Sequence, residues 1–419
     1  MTSISSFTEA HAALRPYIEL NTTAERAYTL ERMKDFMEKL GNPQDNLKII
    51  HVAGTSGKTS TSYYVASFLQ QAGCRVGLTV SPHLDEINDR LQINLLPLPE
   101  PEYCKVLGEF LEIVQSADIQ ITYFELLVAM AYWYFSRQGV DYAVIEVGLG
   151  GLSDATNVIN RPDKVCVITD IGLDHVLILG KTIGEIAAQK AGIIQPYNHV
   201  LLFRQEAAVR RAVMDRAKNQ HAALHELEQS AEYSGLVSKL PDFQKRNWQL
   251  AAQTYNYVTS RDKLHLLSDD QMQATVQTYI PGRMERLSSG GKTIILDGAH
   301  NPQKMAALVN SLNQLYPDQP AAALVAFKAS KDVAQTLQVL TARVDYLITT
   351  QIANDGPLQK HSALSEQLQT AIANNVGSQH IIPLEAAIDE LLKRQEPVLV
   401  ITGSLYILHA ARQHIQRRT

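Results

Sequence analysis

The stretch "HVAGTSGKTSTSYY", residues 51–64, carries the residue types of a phosphate-binding loop at an unusual spacing. The common loop has four residues between its first glycine and its Gly-Lys pair. Here only Thr55 and Ser56 separate Gly54 from Gly57 and Lys58. Glycines let backbone N–H groups approach phosphate oxygens, and a helix N-terminus adds positive potential. Lys58 supplies a point charge for outer phosphates, and Thr59 or Ser60 a hydroxyl for Mg²⁺. A plain glycine turn capped by Thr or Ser is the competing reading.

Further chemistry stands at the ends of later apolar runs. "GLTVSPHLDEINDR" ends in Ser-Pro-His, which alone reads as a turn. "IEVGLGGLSDATN" brings Glu146 out of a buried-looking run, where a carboxylate is costly unless it meets a cation. Hard oxygen ligands suit Mg²⁺, and an arginine partner or a solvent-facing position are the alternatives. "ITDIGLDHVLILG" delivers Asp174 and His175 to the same edge. In "KTIGEIAAQKAGII", Thr182 and Glu185 make a capping box, and Lys190 reads as a solvated lysine near a helix end.

The elements that position these groups follow from hydrophobic periodicity. "LKIIHVAG", "RVGLTV", "YAVIEVG" and "VCVITDIG" are nearly continuous apolar runs, as expected for strands buried on both faces of a parallel sheet. Helical patterns lie between them, among them Thr59 to Gln71, with a stripe of Val65, Phe68, Leu69 and Ala72. "TLERMKDFMEKLG" forms a helix ahead of the sheet that closes at Gly41. A second series begins near residue 292 with "KTIILDGA", "AAALVAFK", "YLITTQ" and "VLVITGS". Pro281-Gly282 is the strongest break between the series. The expected fold is α/β in two domains, residues 1–280 with a mostly parallel P-loop-type sheet, and residues 281–419 smaller and Rossmann-like.

Composition agrees with this class. A chain of 419 residues exceeds the size of one core. A net charge of −5 argues against nucleic acid or an anionic membrane as the main partner. Cys74, Cys104 and Cys166 are odd in number and have no C-x-x-C spacing, so neither a disulfide framework nor a zinc site is expected. With no signal-like N-terminus and no long apolar run, a cytoplasmic protein is expected.

In order along the chain, "LGNPQ", "HVAGTSGKTS", "SPHL", "TYFE", "EVGLGG", "DATN", "GLDH", "KAGI", "PGR", "LDGAHNP", Lys331-Asp332 and "GSLY" resemble the folylpolyglutamate and dihydrofolate synthases of the Mur ligase superfamily. The resemblance spans residues 41–406, and the ordered set is far more specific than any one piece. It accounts for the short loop, since that family uses Gly-Thr-x-Gly-Lys.

The resemblance implies an ATP-dependent ligase that phosphorylates a carboxylate and passes the acyl group to the α-amine of glutamate. Gly54, Thr55, Ser56, Gly57, Lys58, Thr59 and Ser60 would then hold ATP phosphates, with Asn247, Arg283 and Asp297 as further ATP contacts. Ser81 and Glu146 would bind a first Mg²⁺ and His175 a second. Lys190 matches a lysine carbamylated by CO₂, and His300, beside these ATP contacts in "DGAHNP", would help with the incoming amino acid. Thr122, Tyr123, Phe124 and Glu125, with Ser153, Asp154 and Ala155, match the pterin side, although Thr122 and Glu125 also fit a helix capping box. Implied partners are a reduced folate or dihydropteroate and L-glutamate, with a monomeric enzyme.

Departures from the family pattern are Ser56 for Asn, Thr59 for Gly, Leu152 for Arg and Asp170 for Asn. Two further hypotheses are a Mur-like ligase of a non-folate acyl substrate and a nucleotide-binding protein without catalysis.

Overall fold

Five buried residues, Ile49–Ala53, form β1, the strand on which the first sheet is built. The computed structural model describes residues 4–19, 29–328, 332–352, 362–363 and 376–418. These divide into two compact units, 1–240 with 244–278, and 241–243 with 279–419.

The first unit holds an eight-stranded sheet. Its strands are β1, β2 (Val76–Thr79), β3 (Gln92–Ile93), β4 (Leu96–Pro97), β5 (Tyr142–Glu146), β6 (Val165–Ile168), β7 (His199–Phe203) and β8 (Ala223–Leu227). The spatial order is β4-β3-β2-β5-β1-β6-β7-β8. β2, β5, β1, β6, β7 and β8 run parallel, and the short β3 and β4 are antiparallel additions at one edge. β1 lies between β5 and β6, with Val52 opposite Glu146 on one side and Val167 on the other. The ends of these neighbours therefore open on one edge, where ligands of doubly wound sheets bind.

Both faces of the sheet are covered. One core joins Ile49, Ala143 and Ile145 to the helices Phe7–Glu19, Glu31–Lys39, Glu100–Ala117 and Tyr123–Arg137. A second joins Ala53, Val147, Cys166 and Ile168 to Ile186, Val209 and Val213. The helix Glu31–Lys39 stops as its sequence suggests: Gly41 N–H donates to Glu38 O and Asn42 N–H to Met37 O, a Schellman closure.

The second unit holds a six-stranded sheet. It is built from β9 (Glu285–Ser289), β10 (Lys292–Leu296), β11 (Ala321–Val325), β12 (Tyr346–Thr349), β13 (Gly377–His380) and β14 (Val398–Thr402), in the order β13-β12-β11-β14-β10-β9. Only β9 runs antiparallel among its described pairings. Arg412 forms a buried two-point ion pair with Glu285, at 2.6 Å, that fixes the last helix against β9.

The fold is the expected α/β pair of mostly parallel sheets. Five strands beyond those apolar runs are present, β3, β4, β8, β9 and β13, which are short or partly exposed. β7 also adds a buried "HVLLF" run. The helix after the loop begins at Lys58, and its burial runs from Ser60 to Leu69 rather than along one stripe.

Candidate active site

The loop after β1 turns at Gly57, whose φ of 89° is left-handed and favours glycine. A Cβ there would also run into the side-chain oxygen of Asn247. Asn247 is buried on the helix Asp242–Asp262, and that helix packs on the phosphate-loop helix Lys58–Gln71 through aromatics. Phe68 lies 5.2 Å from Trp248 and 5.4 Å from Tyr255, ring centre to ring centre. A segment distant in sequence is thus packed against the loop.

The loop's donors are divided in two. Thr55 and Ser56 give their N–H groups to the carbonyl of Asp170, at 2.9 and 3.1 Å, and the Thr55 hydroxyl donates to Gly172 O. These two residues anchor the loop to the end of β6. Lys58, Thr59 and Ser60 begin a helix with no side-chain cap, so their N–H groups have no acceptor within the helix ladder. The ammonium groups of Lys58 and Lys190 both donate to Gly54 O, at 3.1 and 2.8 Å. Lys190 is only 4% exposed, which corrects its reading as a solvated helix-end lysine.

Glu146 ends β5 and is buried. It accepts from the Thr59 hydroxyl at 2.8 Å and from Ser81 N–H at 3.1 Å. A buried carboxylate with the Thr59 hydroxyl against one oxygen supplies hard oxygen donors of the kind Mg²⁺ takes. Among the described residues no three His, Cys, Asp or Glu side chains gather as a metal cluster. His175 is exposed, starts the short helix Val176–Leu179 with φ 51°, and lies 3.8 Å from Asp174. Ser60 is buried under the first helical turn.

On the pterin-side motif the capping box is present: Thr122 N–H donates to Glu125 and Glu125 N–H to the Thr122 hydroxyl. Glu125 is also buried in a two-point ion pair with Arg32, at 2.8 and 3.0 Å. Its carboxylate is therefore committed to the scaffold. Tyr123 is buried under the Arg90 guanidinium. Phe124 is half-buried and packs so closely on Gly148 that a Cβ there would enter its ring. Phe124 thereby stands beside the glycine turn that follows Glu146.

Asp154 is buried and holds that turn together. It accepts from Leu149 N–H at 2.7 Å and from the N–H and hydroxyl of Thr156. Burial pushes its carboxyl above the ordinary range, against these hydrogen bonds. Thr156 in turn meets His51 Nε2 at 2.8 Å. Burial holds His51 neutral, with its pKa well below the ordinary range. Ala155 is buried and Ser153 half-buried in the same turn.

In the second unit, Asp297 follows β10 and is buried, accepting from Met284 N–H and Ala299 N–H at 2.8 and 2.9 Å. Burial raises its pKa, and the nearby Arg283 opposes that rise. His300 Nδ1 lies 2.8 Å from Gly298 O, so it carries the proton, and Nε2 faces the Lys304 ammonium at 3.2 Å. Arg283, Asp297 and His300 thus share one strand-end cluster. Lys331 lies outside the described residues.

Sequence reasoning missed Thr169, Arg246 and Lys304. Lys304 was findable, four residues after His300 at the start of a helix. Thr169, packed on Gly54, had no signal of its own.

A phosphate loop on one α/β unit and a strand-end cluster of Arg283, Asp297 and His300 on a second define a class. Residues 52–285 match the Mur ligase middle domain, and residues 282–405 the glutamate ligase domain of Mur ligases. The chain is 32% identical to folylpolyglutamate synthase of Lacticaseibacillus casei, over 97% of this chain and 98% of the relative. It is 31% identical to dihydrofolate synthetase of Saccharomyces cerevisiae, over 90% of this chain and 95% of that protein. A solved bifunctional folylpolyglutamate synthase/dihydrofolate synthase from Yersinia pestis, complexed with AMPPNP and Mn ion, aligns at TM-score 0.83 and 28% identity over 99% of both chains. The chain belongs to the folylpolyglutamate synthase/dihydrofolate synthase family of Mur ligases.

Proposed function

We propose that the chain is an ATP-dependent amide ligase that adds L-glutamate to a reduced folate. The observation that carries this reading is the convergence of Lys58 and Lys190 on Gly54 O, at the head of an uncapped helix and beside a loop tied to buried Glu146. Lys58 and the N–H groups of residues 58–60 are placed to meet ATP phosphate oxygens. The folate carboxylate attacks the γ-phosphorus, ADP departs, and an acyl phosphate forms. The glutamate α-amine then attacks the acyl carbon, giving up a proton as the amide forms and phosphate leaves. Charge concentrates on phosphoryl and carbonyl oxygens throughout, which is where fixed cations and N–H donors lower a barrier most.

Glu146, Thr59 and Ser81 are the residues that would hold Mg²⁺, with His175 assigned to a second ion. When bound, Mg²⁺ neutralises phosphate charge and orients the transferred group. Lys190 is assigned as a carbamate: its amine adds CO₂, loses a proton and becomes an anion. Its burial beside the loop supports a role there beyond solubility. Phe124 is assigned to stack on the pterin, with Ser153 and Ala155 beside it. Arg283 and Asp297 are assigned to ATP and His300 to the incoming glutamate.

Dihydropteroate is proposed as a second acyl substrate, in keeping with the similarity to a dihydrofolate synthetase. The reading extends to a cytoplasmic monomer with domains 1–280 and 281–419. It is supported for the compartment by three unpaired cysteines. No described helix is long and apolar enough to cross a membrane.

The test is a mass measurement of the folate after incubation with ATP, Mg²⁺ and glutamate. A product heavier by one or more glutamyl residues is expected. Product formed only from peptidoglycan-type precursors would transfer the chemistry to another acyl substrate.

A further inference from the structure

Asp170, one of the departures in the sequence, stands at the end of β6 and faces the phosphate loop in two ways. Its carbonyl receives Thr55 N–H and Ser56 N–H. Its carboxylate receives the Arg246 guanidinium on both oxygens, with contacts of 2.8 and 2.9 Å. Gln205 braces the backbone on either side, donating to Thr169 O and accepting from Ile171 N–H. The guanidinium is also backed by the Phe203 ring, 5.0 Å from its centre.

Arg246 immediately precedes Asn247, whose amide oxygen occupies the space a side chain at Gly57 would need. The contacts close a ring: Asp170 to Thr55 and Ser56, through Gly57 to Asn247, and back through Arg246 to Asp170. Two elements far apart in sequence, the end of β6 and the helix Asp242–Asp262, are thereby held to the same four-residue turn.

We propose that the Asp170–Arg246 ion pair is a positioning device for nucleotide binding, setting the distance between Asn247 and the turn that receives the phosphates. This rests on the reading of that turn as a nucleotide site. The charge is essential because an asparagine at 170 presents one acceptor oxygen and an NH₂ group to the guanidinium, and cannot make the two-point pair. The side chains are 38% and 25% exposed, so the pair matters through geometry more than through its contribution to stability.

The experiment is calorimetric titration with ADP and Mg²⁺, well below the melting temperature, of the wild type, Asp170→Asn, Arg246→Gln and the double variant. Each single variant is expected to weaken ADP binding about three- to tenfold, and the double variant no further than the weaker single. Melting curves without nucleotide are recorded in parallel. Wild-type ADP affinity in Asp170→Asn, with or without a lower melting temperature, overturns the proposal and leaves a scaffold contact. Losses that multiply in the double variant overturn it as well. A wild-type protein that binds no ADP overturns the nucleotide reading, and the inference with it.

Discussion

The ammonium groups of Lys58 and Lys190 meet on a single acceptor, the carbonyl oxygen of Gly54, from positions 132 residues apart. Under the proposed chemistry, phosphates arrive at Lys58 and CO₂ addition makes Lys190 anionic.

Lys58→Ala removes the cation at the head of the loop helix. Phosphate release with folate and glutamate is expected to slow about a hundred- to a thousandfold. An unchanged rate at saturating ATP removes Lys58 from the role.

Lys190→Ala removes the proposed site of CO₂ addition. Activity is expected to be lost and to return in part with excess acetate, a small carboxylate that would stand in for the carbamate. Full activity without acetate ends the carbamate assignment.

Phe124 is proposed to stack on the folate, while its neighbour Glu125 pairs with Arg32 and caps a helix. Phe124→Ala is expected to raise the KM for the folate while leaving the KM for ATP near its wild-type value. Glu125→Ala leaves part-buried Arg32 without its carboxylate and removes one half of the capping box, so it is expected to cost about 1–3 kcal/mol of stability in denaturant unfolding. Equal effects of both variants on folate KM, with no stability difference, would contradict this division.

His51 gives a pH dependence with a definite sign. Its folded pKa lies well below 6.5, because burial penalises the charged ring and Lys164 adds repulsion. The unfolded chain therefore binds the proton first. The contribution of neutral His51 is complete above pH 6.5 and is lost as pH falls below that value, at up to about 1.4 kcal/mol per pH unit. His51→Gln, which keeps a donor for Thr156 without titrating, is expected to flatten the stability profile between pH 6.5 and 5. A slope equal to that of the wild type would show that other groups set it.

The parts of the site that were legible in the sequence are those where chemistry and local structure coincide. Gly57 and Lys58 follow a buried strand and open a helix, and Glu146 leaves an apolar run, so type and position point the same way. The solvated reading of Lys190 failed because helical spacing places it near a helix end but says nothing of which way that end faces. Asp154 and Glu125 show a different limit. Their motif was visible, yet only the packing reveals that one carboxylate ties a glycine turn and the other pairs with Arg32 from 93 residues away. The edge strands β8 and β13 escaped because half-exposed strands lack the apolar runs that mark central ones.

The most direct measurement is phosphate release from ATP with glutamate and, in turn, dihydropteroate, dihydrofolate and tetrahydrofolate. The account predicts glutamate-dependent release with at least one reduced folate, with one phosphate formed for each amide bond. No release above the ATP-only background with any of the three would contradict it.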